Sequence, residues 1–216
     1  DFRNNVAAIG SGGAISSSSK MTISVTNFED NAANAGQGGG LSVTKDLTIT
    51  GSSFKRNKAL KGGAIDSYDN KVTMANMVVE NNTALEEGGA FNALNSEYDV
   101  STSTIKSNKA KRGGAIRSKS TGCTTDCKKL VIKTSTLENN EASGEAGAID
   151  FDAEAGAEPQ FWIQDTTMTG NKAGGNNNDF KRRGANVKIK AIDSNIGNID
   201  GGDVDSVCEP NQCDNR

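Results

Sequence analysis

Bulky apolar residues recur along this chain three positions before an Asn, and a second apolar residue follows each Asn after a small-residue turn. The first half of the pattern reads Phe2-Arg3-Asn4-Asn5-Val6-Ala7 and returns at 28–33, 54–59, 79–84, 105–110, 137–142 and 168–173. The second reads Gly12-Gly13-Ala14-Ile15, with later copies at 38–41, 62–65, 88–91, 113–116 and 146–149, and a degraded copy in Arg183-Gly184-Ala185-Asn186-Val187. The anchoring residues are Asn5, Asn31, Asn57, Asn82, Asn108, Asn140 and Asn171, spaced 25 or 26 residues apart until two final steps of 32 and 31. A repeat of this length indicates a solenoid, a propeller or an array.

Between these anchors, apolar and polar residues alternate in Met21-Thr22-Ile23-Ser24-Val25-Thr26, Leu47-Thr48-Ile49-Thr50, Val72-Thr73-Met74 and Leu130-Val131-Ile132-Lys133-Thr134. Period-2 alternation of β-branched residues predicts strands with one face inward, and no stretch sustains an apolar stripe at helical spacing. A unit of about 25 residues, with two or three strands of roughly four to six residues and Gly- and Asn-rich corners, has the size of one coil of a parallel β-helix. The chain is therefore read as an all-β solenoid of about seven to eight coils. Gly supplies positive φ at the corners, and Asn tolerates the left-handed region. Stacked coils place equivalent residues about 4.8 Å apart, close enough for the seven Asn to form an amide ladder. The apolar positions become interior rows, and each Ala marks a narrow part of the cross-section.

Rival repeats fail on their own signatures. Leu-x-x-Leu-x-Leu spacing is absent, Gly62-Gly63-Ala64-Ile65-Asp66 does not supply a Ca²⁺-binding nonapeptide, and a chain with no His and one Trp lacks propeller punctuation. The alternation of Phe-x-x-Asn, at Phe2/Asn5, Phe28/Asn31 and Phe54/Asn57, with Gly-Gly-Ala-Ile, at 12–15, 62–65 and 113–116, resembles the repeat of the polymorphic outer-membrane proteins of chlamydiae. The resemblance covers residues 2 to about 187. It implies a right-handed parallel β-helix displayed at the cell surface, and it implies no particular partner.

Composition narrows the reading. Hydrophobic content is 34%, which suits a narrow coil interior, and an apolar pattern held in register through seven copies excludes disorder over residues 1–190. One solenoid domain, 1–190, is expected, followed by a disulfide-containing cap or linker, 191–216. The 24 basic and 27 acidic residues are well mixed, so nucleic acid is not an expected partner. Basic clusters at Lys109 to Arg112 and Lys181 to Arg183 are read as solvated turn residues. No apolar run reaches membrane-spanning length. Asp1-Phe2-Arg3-Asn4-Asn5 already lies inside a repeat, so a processed or excised piece of a longer protein is expected, with coils missing upstream.

Four Cys form two close pairs, Cys123/Cys127 and Cys208/Cys213. Local pairing and an even count suit two disulfides in an oxidising compartment, against a zinc alternative that would need all four thiolates. Asn81-Asn82-Thr83 is a glycosylation sequon at Asn81, or simply repeat punctuation. Without His, Ser-His-Asp and Cys-His machinery is excluded. The best acidic cluster is Asp150, Asp152 and Glu154, with Asp66 and Asp69 on an earlier coil. Arg117, at the matching position, points to a cross-coil Arg–carboxylate ladder rather than to catalytic carboxylates. The segment Glu154 to Trp162 is read as a packed lid or as an aromatic platform for a sugar or a subunit. Asp200, Asp203 and Asp205 are weak Ca²⁺ candidates in a tail otherwise read as a polar cap, so no cofactor is expected. Thr-x-Thr at 48–50 and 102–104 falls out of register, against a flat ice-binding face.

The expected function is that of a non-catalytic extracellular structural or adhesive module, with contact surface varied by insertions at 121–129, 154–162 and 174–182. Its partners would be other protein subunits or a cell-surface glycan. An open first coil makes end-to-end self-assembly into a filament a sub-hypothesis. The alternative is a carbohydrate-active or carbohydrate-binding β-helix, recognised by charges converging in one groove beside Trp162.

Overall fold

The computed structural model describes residues 1–121, 129–153, 160–183, 188–195, 199–200 and 206–208. Among them the chain is all-β and forms a right-handed parallel β-helix of seven coils with strands of a partial eighth. Each coil carries four strands of two to five residues rather than the two or three longer ones expected, because two tight corners interrupt what the alternation pattern runs together. Four sheets result. The first runs from Phe2–Arg3 to Thr167–Thr169, the second from Val6–Ala7 to Lys172–Ala173, the third from Ile15–Ser17 to Ile199–Asp200 and the fourth from Met21–Ser24 to Ser206–Cys208.

Register explains the repeat. The first sheet sends Phe2, Phe28, Phe54, Val79, Ile105, Leu137 and Met168 inward in one row. Its three Phe rings stack, Phe2 on Phe28 at 5.1 Å and Phe28 on Phe54 at 4.6 Å. The third sheet contributes Ile15, Leu41, Ile65, Phe91, Ile116, Ile149 and Phe180. The fourth contributes two rows, Met21 through Phe161 and Ile23 through Ile163. Buried Ala33, Ala59, Ala84 and Ala142 line the second sheet, where the cross-section is narrow.

Residues with positive φ mark the corners. At the corner before the second sheet it is the residue preceding each ladder Asn that turns left-handed, Asn4, Asp30, Arg56, Asn81, Ser107, Asn139 and Gly170, and not the ladder Asn itself. At the corner after the fourth sheet the same region is taken by Val25, Gly51, Asn76, Thr102, Thr134, Asp165 and Asp193. This ends the strand at Ser24 and at Lys133, short of the expected Thr26 and Thr134. The two Gly of each pair do different jobs. Gly113 has φ 59°, and a Cβ there would lie 2.3 Å from the carbonyl oxygen of Ile116 in the same turn, whereas a Cβ on Gly114 would lie 2.2 Å from the carbonyl oxygen of Gly147 in the next coil.

The seventh coil corrects the repeat assignment. Phe180 follows Ile149 in the interior row, and Ala148 and Ile149 both donate backbone hydrogen bonds to Asp179. Asn178-Asp179-Phe180 therefore replaces the Gly-containing turn, and residues 174–182 are not an insertion. The degraded copy at 184–187 lies outside the described residues. By chain order the extra lengths, 122–128, 154–159 and 184–187, all connect the third sheet to the fourth in three consecutive coils. Pairing also crosses the expected boundary at 190, since Ile199–Asp200 pairs with the strand at Phe180–Arg183 and Ser206–Cys208 with Lys188–Ile192.

Candidate functional site

The seven Asn stack into one amide ladder. Each side-chain nitrogen donates to the next side-chain oxygen, at 2.8 Å from Asn5 to Asn31, 3.0 Å to Asn57, 2.9 Å to Asn82, 3.0 Å to Asn108, 3.0 Å to Asn140 and 2.9 Å to Asn171. The same oxygen also accepts the backbone N–H of the preceding Asn, as Asn140 does from Asn108 at 3.0 Å. From Asn31 onward the second amide hydrogen goes back to the carbonyl of the apolar residue in the previous coil, as from Asn108 to Val79 at 3.1 Å. An interior amide thus uses all four of its hydrogen-bonding positions. At Asn171 the ladder ends on the carboxylate of Asp179, 2.6 Å away. There the antiparallel pair of Asn176–Asn177 with Lys172–Ala173 closes the edge of the second sheet.

A second ladder lies five residues before each Asn and is missed by the repeat reading. Ser52 accepts the backbone N–H of Thr26 at 3.0 Å, Ser135 that of Ser103 at 3.1 Å, Thr166 that of Ser135 at 3.3 Å and Ser194 that of Thr166 at 3.2 Å. Met77 interrupts this column and contributes buried apolar surface instead. The constant offset of Ser or Thr from Asn is the signal that would have revealed it.

The chemically densest region is the outer face of the third sheet, where Asp66, Asn92, Arg117, Asp150 and Lys181 occupy one column. They alternate with inward residues such as Ile65 and Ser67, yet Arg117 is 2% exposed and Asp150 0%. Lys61, Glu87, Arg112 and Glu145, aligned on the second sheet, flank them. Arg117 reaches Asp150 at 3.3 Å, Asp152 at 2.6 Å and Glu87 at 3.7 Å. Arg183 holds both oxygens of Asp150, at 3.1 and 3.2 Å, and also Glu145. Lys61 and Arg112 hold Glu87 at 2.8 and 2.6 Å. The cross-coil Arg–carboxylate ladder is present in this form. Asn92, not Arg117, is the register partner of Asp66, and donates to it at 2.7 Å.

Electrostatics follow from burial. Desolvation pushes Asp66 up to about 6 against the hydrogen bond from Asn92. Desolvation likewise pushes Asp150 up to about 6 against the pull of Arg117. Burial acts to raise Glu87 too, but the hydrogen bond from Lys61 and the charges of Arg117 and Arg112 outweigh it, leaving the carboxyl below its ordinary range. Tyr98, wholly buried, has its phenol raised by desolvation, and its oxygen accepts from Ser67 at 3.0 Å. Glycoside chemistry needs two carboxyls flanking an open bond. Here one guanidinium bridges Asp150 and Asp152.

The remaining candidates are dispersed. Lys109–Arg112 and Phe180–Arg183 are strands rather than turns, and Lys109, Arg112 and Lys181 pair with Glu141, Glu87 and Glu145. Asp69 sits at a left-handed corner. The stretch from Gln160 to Trp162 is no lid but part of a regular strand, Gln160–Gln164. Phe161 points inward and stacks on Phe180 at 4.9 Å, while Trp162 faces outward under the ammonium of Lys133, 5.0 Å from its ring centre. Thr22, Thr48 and Thr73 do align on the outer face of the fourth sheet, but Asp99 ends the row. Asn81 is exposed beside the buried ladder Asn82. Glu154, Cys123, Cys127, Cys213, Asp203 and Asp205 lie outside the described residues, and Cys208 and Asp200 are placed by backbone alone. Among the described residues no helix is long and apolar enough to cross a membrane. No family model, no curated protein and no solved structure matches this chain.

Proposed function

We propose that the chain is a non-catalytic extracellular structural or adhesive module, a rigid rod that presents surface to other protein subunits or to a cell-surface glycan. The observation that carries this reading is the mutual saturation of its charged groups. Asp150, Asp152 and Glu87, the carboxyls best placed for chemistry, are each taken up by Arg or Lys of adjoining coils. Trp162 belongs to the outer face of a different sheet from Arg117 and Asp150, so charge and aromatic surface do not share one groove. Buried polar ladders running the length of the stack favour rigidity over induced fit. The resemblance of the repeat to chlamydial surface proteins and the even Cys count favour an extracellular or cell-surface location.

The test is sizing at several concentrations with electron microscopy of the same fractions, followed by glycan and cell-surface binding screens. Ordered polymers identify a filament subunit, and a monomer that binds cells or glycans identifies a display module. Turnover of an acidic or neutral polysaccharide, abolished by Asp150→Asn, would overturn the reading in favour of a carbohydrate-active β-helix.

A further inference from the structure

Wherever two charged residues face each other in register across neighbouring coils, among the described residues, their signs are opposite. On the first sheet the third position runs Arg3, Glu29, Lys55, Glu80, Lys106, Glu138 through six successive coils. On the second sheet Lys61, Glu87, Arg112, Glu145 alternate in the same way. On the third, Lys119, Asp152, Arg183 form one column and Arg117, Asp150, Lys181 another. On the fourth, Lys71 faces Glu97 at 2.6 Å. Random placement would set like charges opposite each other about as often as unlike ones, and like charges directly opposite are destabilising.

The other rows carry no such alternation. Pairing a coil with its second neighbour instead of its first would set Phe28 against Val79, Asn31 against Asn82 and Gly38 against Gly88, each an acceptable partner. Looping out one coil of about 25 residues adds little closure entropy, so near-identical coils are prone to this slip. The charged columns are what distinguish the two registers. In the slipped register Lys55 meets Lys106, Glu80 meets Glu138, Lys61 meets Arg112 and Glu87 meets Glu145.

We infer that the alternating charge columns are a register code: they give the solenoid an electrostatic period of two coils and exclude pairing between second-neighbour coils, within one chain and between two copies. The pairs on the first sheet, such as Lys55–Glu80 at 2.9 Å and Lys106–Glu80 at 3.4 Å, are at the surface, where each adds little to native stability. Their effect is on discrimination.

Two variants with the same Glu29→Gln background test this. One carries Lys55→Gln, Glu80→Gln, Lys106→Gln and Glu138→Gln, and the other reverses the sign at each of those four positions. The two share one net charge, a single unit more positive than the parent's because of Glu29→Gln. Each is unfolded in urea and refolded at rising protein concentration, with native monomer, non-native monomer and swapped oligomer separated by size and by tryptic pattern. The neutral variant is expected to lose about tenfold in the ratio of native to misregistered product, and the sign-reversed variant to refold as the parent does. Refolding the parent in about 1 M salt, where the screening length falls to about 3 Å, should reproduce the neutral variant. Parental refolding by the neutral variant overturns the inference. So does failure of the sign-reversed variant, or oligomerisation of neutral protein that was never unfolded.

Discussion

Replacing one interior amide of the Asn ladder should cost far more than an ordinary polar substitution. Asn108 accepts from the backbone N–H and the side-chain amide of Asn82, at 2.9 and 3.0 Å, and donates to Val79 and Asn140. In Asn108→Ala the N–H of Asn82 and one of its amide hydrogens lose their partner while staying buried, and the carbonyl of Val79 loses a second donor, since Asn82 and Val79 are both 0% exposed. Each orphaned group costs about 1–3 kcal/mol, so the expected loss is about 3–5 kcal/mol after local relaxation. That is a large share of the roughly 5–15 kcal/mol that holds a typical domain. Asn5→Ala is the control, because Asn5 is exposed and its side chain donates a single bond, to Asn31, and it should cost about 1 kcal/mol or less. Asn108→Asp sharpens the test. Its carboxylate would face the Val79 and Asn140 oxygens without a hydrogen to donate, so the folded state raises its pKa above the unfolded value of about 3.9. The native state then binds more protons than the unfolded state, and the penalty grows as pH rises from about 4 toward neutrality. Urea unfolding followed by circular dichroism, at pH 4 and pH 7, measures all three. An Asn108→Ala loss below about 1 kcal/mol, no larger than that of Asn5→Ala, would refute the claim that amide saturation holds the coils together.

Asp66→Asn should stabilise the protein by about 1–3 kcal/mol at pH 7 and have no effect near pH 3.5. The folded carboxyl is pushed up to about 6, so native protein binds the extra proton and loses stability as pH rises from about 4 to 6, which Asn cannot do; equal midpoints for both proteins at pH 7 would contradict this. Arg117→Met leaves Asp152 without its guanidinium and Asp150 without one of its two, and should cost about 3–5 kcal/mol in urea titration. The two adjacent glycines should separate in the same assay. Gly113→Ala sets a Cβ 2.3 Å from the carbonyl oxygen of Ile116 within its own turn, at a left-handed position where the sixth coil carries Ala146 at φ 57°, and should cost about 1–2 kcal/mol, whereas Gly114→Ala drives a Cβ into the backbone of the next coil and should cost more.

The coil, its Asn anchor and its inward rows were legible because stacking repeats the same chemical demand every 25 or 26 residues. Corner conformation was not, since the left-handed position before the ladder Asn accepts Asn, Asp, Arg, Ser or Gly, provided the preceding strand and following Asn fix the backbone. The hydroxyl ladder was obscured because Ser and Thr are common everywhere in this composition, and only their offset from Asn is informative. The seventh turn was misplaced for a related reason. Asn178-Asp179 replaces Gly and Ala where, among the described residues, the antiparallel Asn176–Asn177 strand rather than a further coil lies on the second sheet, so the small-residue signature is lost while Phe180 keeps its buried place. Arg117 was placed correctly opposite a carboxylate, but its burial could not be read from the strand pattern, which puts it on the outer face.

The contrast between interior and exterior ladders shows how this chain solves a problem peculiar to repeats. Stability in a stack adds up over neighbouring coils, and here the strongest contacts are identical from coil to coil: Asn on Asn, Gly backbone on Gly backbone, apolar row on apolar row. Identity makes each interface strong and also makes every coil a competent partner for every other. A polar interior raises the penalty for imperfect stacking, because a ladder amide that misses its neighbour is buried without bonds, but it does not say which neighbour is correct. Sequence-specific information has to come from positions that differ between coils, and on this rod those are the outward-facing charges. Where the repeat stops, the same logic is reversed. Asp179 accepts the final amide hydrogen of the Asn ladder but has no side-chain amide to continue it, and the antiparallel Asn176–Asn177 strand occupies the sheet edge beside it. Asp179→Asn should therefore reopen the ladder's end while leaving the fold intact. Hydrogen exchange of the Lys172–Ala173 amides reads this directly, with faster exchange expected in the variant and unchanged exchange sinking the idea that Asp179 terminates the ladder.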